Sequence, residues 1–175
     1  MLAMKIPRSI SLKQFATFLL LTLLAGCTPG HDWREVRGSD ATFSVLMPAK
    51  PSSLTRQIDL DGVNVSMTMM AAEIDTVTYA VGSVELADEG AAKIAVLAMK
   101  TAMVRNINGT VLHEKSAGST TDLEASGKSN SGAPRLLIAR FVSKNQRAYQ
   151  IIVTGPKTAI AREQVDTFMT SFKLP

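Results

Sequence analysis

Few side chains in this 175-residue chain could make or break bonds, and their spacing restricts the chemistry open to them. The single cysteine, Cys27, closes the run Leu24-Ala25-Gly26-Cys27, and only two histidines follow it, His31 and His113. Zinc hydrolysis needs clustered His, Cys and carboxylate ligands. Here His31 falls in a short polar leader and His113 in a predicted strand, followed by Glu114. A lone strand histidine is more often an edge residue than a ligand. A Ser-His-Asp triad assembles from residues far apart in sequence, and His113 would have to be its base. The chain contains no Gly-x-Ser-x-Gly elbow and no Walker loop. Asp59 and Asp61 before Gly62 have the look of a fragment of a calcium loop. That loop needs further oxygen ligands and a distant glutamate, whereas Val63, Asn64 and Val65 come next, so a hairpin turn is expected. The nine methionines could serve a soft metal such as Cu(I). They sit at core spacing, and methionine is a natural filler of irregular gaps, so packing is the expected role. No catalytic set, no metal site and no cofactor is expected.

Cys27 has a different kind of context. Lys5, Arg8 and Lys13 precede the uncharged run FATFLLLTLLA from Phe15 to Ala25, and small residues lead into the cysteine. A positive head, a short apolar middle and small residues at the cut are the parts of a secretory signal. The apolar run is too short for a span, which needs about 20 residues. The end of this segment resembles the lipobox of bacterial lipoprotein signals. That resemblance implies a diacylglyceryl group on the Cys27 sulfur, cleavage before Cys27 and acylation of the new amine. Residues 1–26 are then the signal, 27–32 a lipidated tether and 33–175 the folded domain. Two or more acyl chains hold a protein stably on a bilayer, so Cys27 is expected to be an anchor and not a nucleophile. Asn108-Gly109-Thr110 has the form of a glycosylation acceptor, which would require a eukaryotic route. In lipoproteins of this type the residue after the cysteine biases sorting, and Thr28 is not the aspartate of inner-membrane retention. The expected address is the outer membrane, facing the periplasm.

With Cys27 acylated, no disulfide can form within the chain, and the exported domain must rest on its core. From Cys27 onward the length suits one compact domain. Three of the 19 basic residues lie in the signal and none of the 15 acidic ones do, which leaves 16 basic against 15 acidic side chains. The electrostatic footprint of a nucleic-acid binder is therefore missing.

The elements follow from period and punctuation. Trp33 to Arg37 and Thr42 to Met47 read as strands around a Gly38-Ser39-Asp40 turn, and Met47-Pro48-Ala49-Lys50-Pro51 ends the second. Alternation from Leu54 to Met69, with Asp61-Gly62 at the corner, predicts a tight type I′ hairpin. Thr78 to Leu86 is a further strand. Asp88 to Asn106 changes period and predicts a helix whose stripe is Ile94, Leu97, Ala98, Thr101 and Val104, widened by Ala95, Met99, Ala102 and Met103. Asp88 is its cap and Gly109 its stop. Thr110 to Lys115 is a strand. The polar stretch Ser116 to Ala133 is expected to be the least ordered, with a short strand from Thr121 to Ser126 and a loop from Gly127 to Ala133. Leu136 to Ser143 and Ala148 to Thr154 pair across Lys144-Asn145-Gln146-Arg147. Thr158 caps a last helix carrying Ala161, Val165, Phe168 and Phe172.

This order, with Phe43-Ser44-Val45 leading into Pro48 and Pro51, Ala148-Tyr149-Gln150-Ile151 in the late strand, and Phe168-Met169-Thr170-Ser171-Phe172 near the end, resembles the PsbP-like α/β/α sandwich group. The resemblance covers about Trp33 to Leu174. It implies an α+β class, an antiparallel sheet flanked by helices in a single domain, and action by binding other proteins instead of catalysis. The expected function is thus a noncatalytic, lipid-anchored envelope protein that binds another protein, with Trp33, the Ser116 to Ala133 region, and Asn145 and Arg147 of the Lys144 to Arg147 turn as candidate contacts. The alternative is a carrier or sensor holding an apolar ligand between the Met-rich sheet and the central helix. A pocket lined by Met67, Met69 and Met99 would favour the carrier, and a closed core the partner binder.

Overall fold

A computed structural model describes residues 30–38 and 43–175, which places Cys27 and the signal outside the described residues. A compact unit runs over His31–Pro175. Among the described residues nine strands and two helices follow in order: β1 (Arg34–Arg37), β2 (Ser44–Met47), β3 (Ser52–Leu60), β4 (Val63–Ile74), β5 (Val77–Glu85), α1 (Glu89–Asn106), β6 (Thr110–Ala117), β7 (Thr120–Lys128), β8 (Pro134–Lys144), β9 (Arg147–Gly155) and α2 (Arg162–Ser171). Strands β3 to β9 form one sheet in the order β3-β4-β5-β9-β8-β7-β6, and β1 pairs with β2 alone. All pairings are antiparallel, and the class is α+β in a single domain.

Two-residue turns set the registers. Asp61 (φ 55°) and Gly62 (φ 88°) close β3 on β4, as the Asp-Gly corner predicts, and Asn145 (φ 55°) closes β8 on β9. The Asp59 carboxylate accepts the Gly62 N–H at 2.9 Å, so these aspartates build a turn.

Central strands β5 and β9 are buried on both faces because separate layers cover them. Tyr79, Val81, Tyr149, Ile151 and Val153 point to one layer, where they meet Phe43, Val45 and Met47 of the β1–β2 ribbon and Val165, Phe168 and Met169 of α2. Leu137, Ala139, Phe141, Ala148 and Ile152 point to the other, under Ala95, Val96 and Met99 of α1. The inward residues of β8 and β9 therefore serve opposite faces, as period two requires.

Three expectations need correction. The buried line of α1 is Ala92, Ala95, Val96 and Met99, while Ile94 and Leu97 are 62% and 57% exposed. Apolar residues surround most of this helix, and the sheet takes the small side, where alanines let the backbones approach. The polar stretch after Lys115 is ordered sheet as far as Lys128, where the expected strand Thr121 to Ser126 extends over Thr120–Lys128. Strands β6 and β7 pair over their whole length apart from a bulge at Leu112, with Leu123 and Ala125 turned inward. Hydroxyls complete the outer hairpin, as in the 3.0 Å contact between Ser116 and Thr121. Only 129–133 remains a loop, and Gly127 lies in β7 opposite Arg135, where a Cβ would sit 2.1 Å from the Ile107 carbonyl oxygen. Finally, Ala161 and not Thr158 precedes the last helix, no side chain caps it, and Phe172 lies just past its end. By contrast Asp88 caps α1, accepting the Ala91 N–H at 2.8 Å. The exit of α1 turns at Asn108 (φ 45°), and the Gly109 N–H closes on the Val104 carbonyl at 2.9 Å.

Candidate functional site

Strand register decides which candidate residues meet. Trp33 is half-buried at the head of β1, stacked on His31 at 5.7 Å and edge-on to Tyr79 at 6.2 Å. It thereby closes the aromatic layer formed by Tyr79 and Phe168 (5.4 Å) and by Phe43, Tyr149 and Phe172. Asn145 and Arg147 lie at the β8–β9 turn. Arg147 pairs with Glu85 at 2.6 Å, and both residues line a cleft of about 310 Å³ with Lys144, Asn145, Tyr149 and Leu174. Lys144 reaches the Pro175 carbonyl there. Tyr79 and Glu85 are six residues apart on β5, or about 20 Å at strand rise. Trp33 and the Asn145–Arg147 pair are therefore separate surfaces.

The space proposed for an apolar ligand is filled. Met99 is 1% exposed and packs in the same cluster as Met67. The Gln150 amide on β9 donates towards Met69 Sδ at 3.3 Å and Met67 Sδ at 3.7 Å. Gly82, between them in the sheet, makes this meeting feasible, because its Cβ would stand 2.6 Å from Met69 Sδ. The sulfurs thus serve as gap-filling weak acceptors. Outside this core, Ile94, Leu97 and Ala98 of α1 line an open groove of about 370 Å³ against Asp59 to Gly62.

A third surface draws Asp122 and Glu124 from the polar stretch 116–133. On the α2 side of β6, β7 and β8 lies an open groove of about 470 Å³ lined by His113, Lys115, Asp122, Glu124, Arg140 and Arg162. Arg140 grips Asp122 through Nε (2.6 Å) and Nη2 (3.1 Å), and its Nη1 donates to the Met169 carbonyl at 3.2 Å. Arg162 of α2 holds Glu124 with two hydrogen bonds of 2.8 and 2.7 Å. Fork-to-fork pairs of this kind add orientation as well as attraction. The hydrogen bond from Arg162 holds the Glu124 carboxyl below its ordinary range, against a smaller opposing effect of burial. Arg140 and Arg162 are raised in turn by their carboxylate partners. The one local signal for this surface was the spacing of Asp122 and Glu124, which puts both on one face of a strand.

Among the described residues no three His, Cys, Asp or Glu side chains group as metal ligands, and no helix is long and apolar enough to cross a membrane. No protein-family model matches the chain, and no curated protein matches it in sequence. Among solved structures it is similar to a Bacteroides thetaiotaomicron protein at 10% identity with a TM-score of 0.47. The match covers 81% of this chain and 48% of that one, so the chain spans about half the length of that protein.

Proposed function

We propose that this protein is a noncatalytic envelope lipoprotein of the PsbP-like α/β/α sandwich kind, anchored through acylated Cys27 and acting by binding another envelope protein. Its address is the periplasmic face of the outer membrane. The observation that carries the reading is the contrast between interior and surface. The space between Met67, Met69 and Met99 is packed, which weighs against a carried apolar ligand, while edge strands and an ion-paired groove stand open. The two helices on opposite faces of an antiparallel sheet are compatible with the sandwich group. The Leu24-Ala25-Gly26-Cys27 run supports the anchor.

The test has two arms. Cys27→Ser is expected to abolish labelling by a fatty acid analogue and to release the domain from membranes, and continued labelling with retention would overturn the anchor. Crosslinking in intact cells is expected to capture a discrete protein. Co-purifying lipid with no captured protein would overturn partner binding in favour of the carrier.

A further inference from the structure

The seven-stranded sheet ends in β6, which is exposed along its whole length on both faces and paired only with β7. Alternate N–H and C=O groups of such a strand point away from the sheet and can accept another strand. The charges beside this edge are unequally satisfied. On the α1 face Glu114 is taken up by Lys100 at 2.6 Å. On the α2 face Asp122 and Glu124 are held by Arg140 and Arg162, and Asp166 acts on Arg162. On the outer row of that face β6 itself contributes only basic side chains, Lys115 opposite Asp122 and His113 opposite Glu124, on which His113 also acts.

We propose that β6 is the docking edge of this protein and that its partner supplies an extended segment with acidic side chains at alternate positions. Main-chain hydrogen bonds to β6 give attachment, and the acidic residues, lying on the α2 face, meet Lys115 and His113. The proposal rests on the partner-binding reading above and names the chemistry of the partner. A second copy of the chain fits less well. Antiparallel pairing of β6 with itself sets residues of the same face opposite one another, so registers centred on Glu114 or Lys115 oppose like charges. The bulge at Leu112 and the edge lysine also discourage indiscriminate pairing. The opposite edge, β3, carries a single basic residue, Arg56, and Asp59 falls on its other face, so no face of β3 offers two basic residues at alternate positions.

The test uses the lipidated protein in detergent and two synthetic peptides, Thr-Glu-Val-Asp-Val-Glu-Thr and the same sequence with lysine at each acidic position. The acidic peptide is expected to bind and to slow amide hydrogen exchange in β6 and not in β3. Lys115→Glu is expected to weaken the acidic peptide by about fivefold and to favour the lysine peptide, whereas Arg56→Glu changes neither. Failure of both peptides to bind, equal binding of the two, or protection confined to β3 would overturn the proposal. Photocrosslinks in cells from position 145 but not from 115 would leave partner binding standing and the β6 edge refuted.

Discussion

The two faces of the central sheet are packed by different means. On the α2 face large rings interlock: Phe168 is fully buried against Tyr79, and Phe43, Tyr149 and Phe172 form a second group at 5.7 to 6.3 Å. The β1–β2 ribbon is tied into this layer by Ser44 and Lys173, which exchange backbone hydrogen bonds of 3.0 and 2.9 Å. On the α1 face the helix contributes Ala92, Ala95, Val96 and Met99 over Leu137, Phe141 and Ile152 of the sheet, and it leaves Ile94 and Leu97 outside. Rings fix geometry through their shape, whereas methionine adapts to its surroundings. The α2 face thus interlocks several rings, whereas the α1 face sets the small side of a helix over one ring, Phe141. The ion-paired groove beside β6 is built on the aromatic face.

This contrast can be broken at several points. Phe168→Ala should have the largest effect, a loss of about 3–5 kcal/mol in chemical denaturation, while Met99→Leu on the other face should cost less than about 1.5 kcal/mol. Comparable losses from the two would erase the distinction. Gly127→Ala is expected to cost about 1–3 kcal/mol, because the new methyl meets the Ile107 backbone and neither main chain can yield cheaply. An unchanged melting temperature would show that the crossing of α1 over β7 is looser than described. Asp88→Ala should remove about 1 kcal/mol by uncapping α1, and Asp88→Ser should retain most of it.

The smallest effect is electrostatic. Glu124 has a lowered pKa in the folded state, so its contribution is present above the ordinary carboxylate pKa and disappears as pH falls through the lowered value. Arg162 is about half exposed, which screens the pair and keeps its worth below about 1 kcal/mol. Glu124→Gln should therefore lower stability slightly at neutral pH and converge with the parent under acid conditions. A difference that persists unchanged in acid would assign the effect to packing.

Local chemistry was the legible part of the sequence. Asp61-Gly62 announced its hairpin, Asp88 its cap, and the alternation in β8 and β9 their pairing, because each signal lies within a few residues. The choice of face on α1 was not legible, since apolar residues cover most of its circumference and only the facing sheet decides between alanine and leucine. In the outer hairpin the strands Thr110 to Lys115 and Thr121 to Ser126 were legible, but their tight joining through Ser116 to Thr120 was not, because the Ser and Thr residues there offer no apolar alternation. The Arg162–Glu124 and Arg140–Asp122 pairs join residues 38 and 18 positions apart and become visible only with the register. The Asn145 turn was placed correctly, but its separation from Trp33 depends on the path of β5, along which Tyr79 and Glu85 lie about 20 Å apart.

The anchor underlies the whole functional account, and intact mass spectrometry of the protein extracted from its native membrane tests it most directly. The account predicts a polypeptide that starts at Cys27 and carries the added mass of a thioether-linked diacylglyceryl group with an acylated amine. A polypeptide that keeps residues 1–26, or one whose Cys27 is a free thiol, would contradict it.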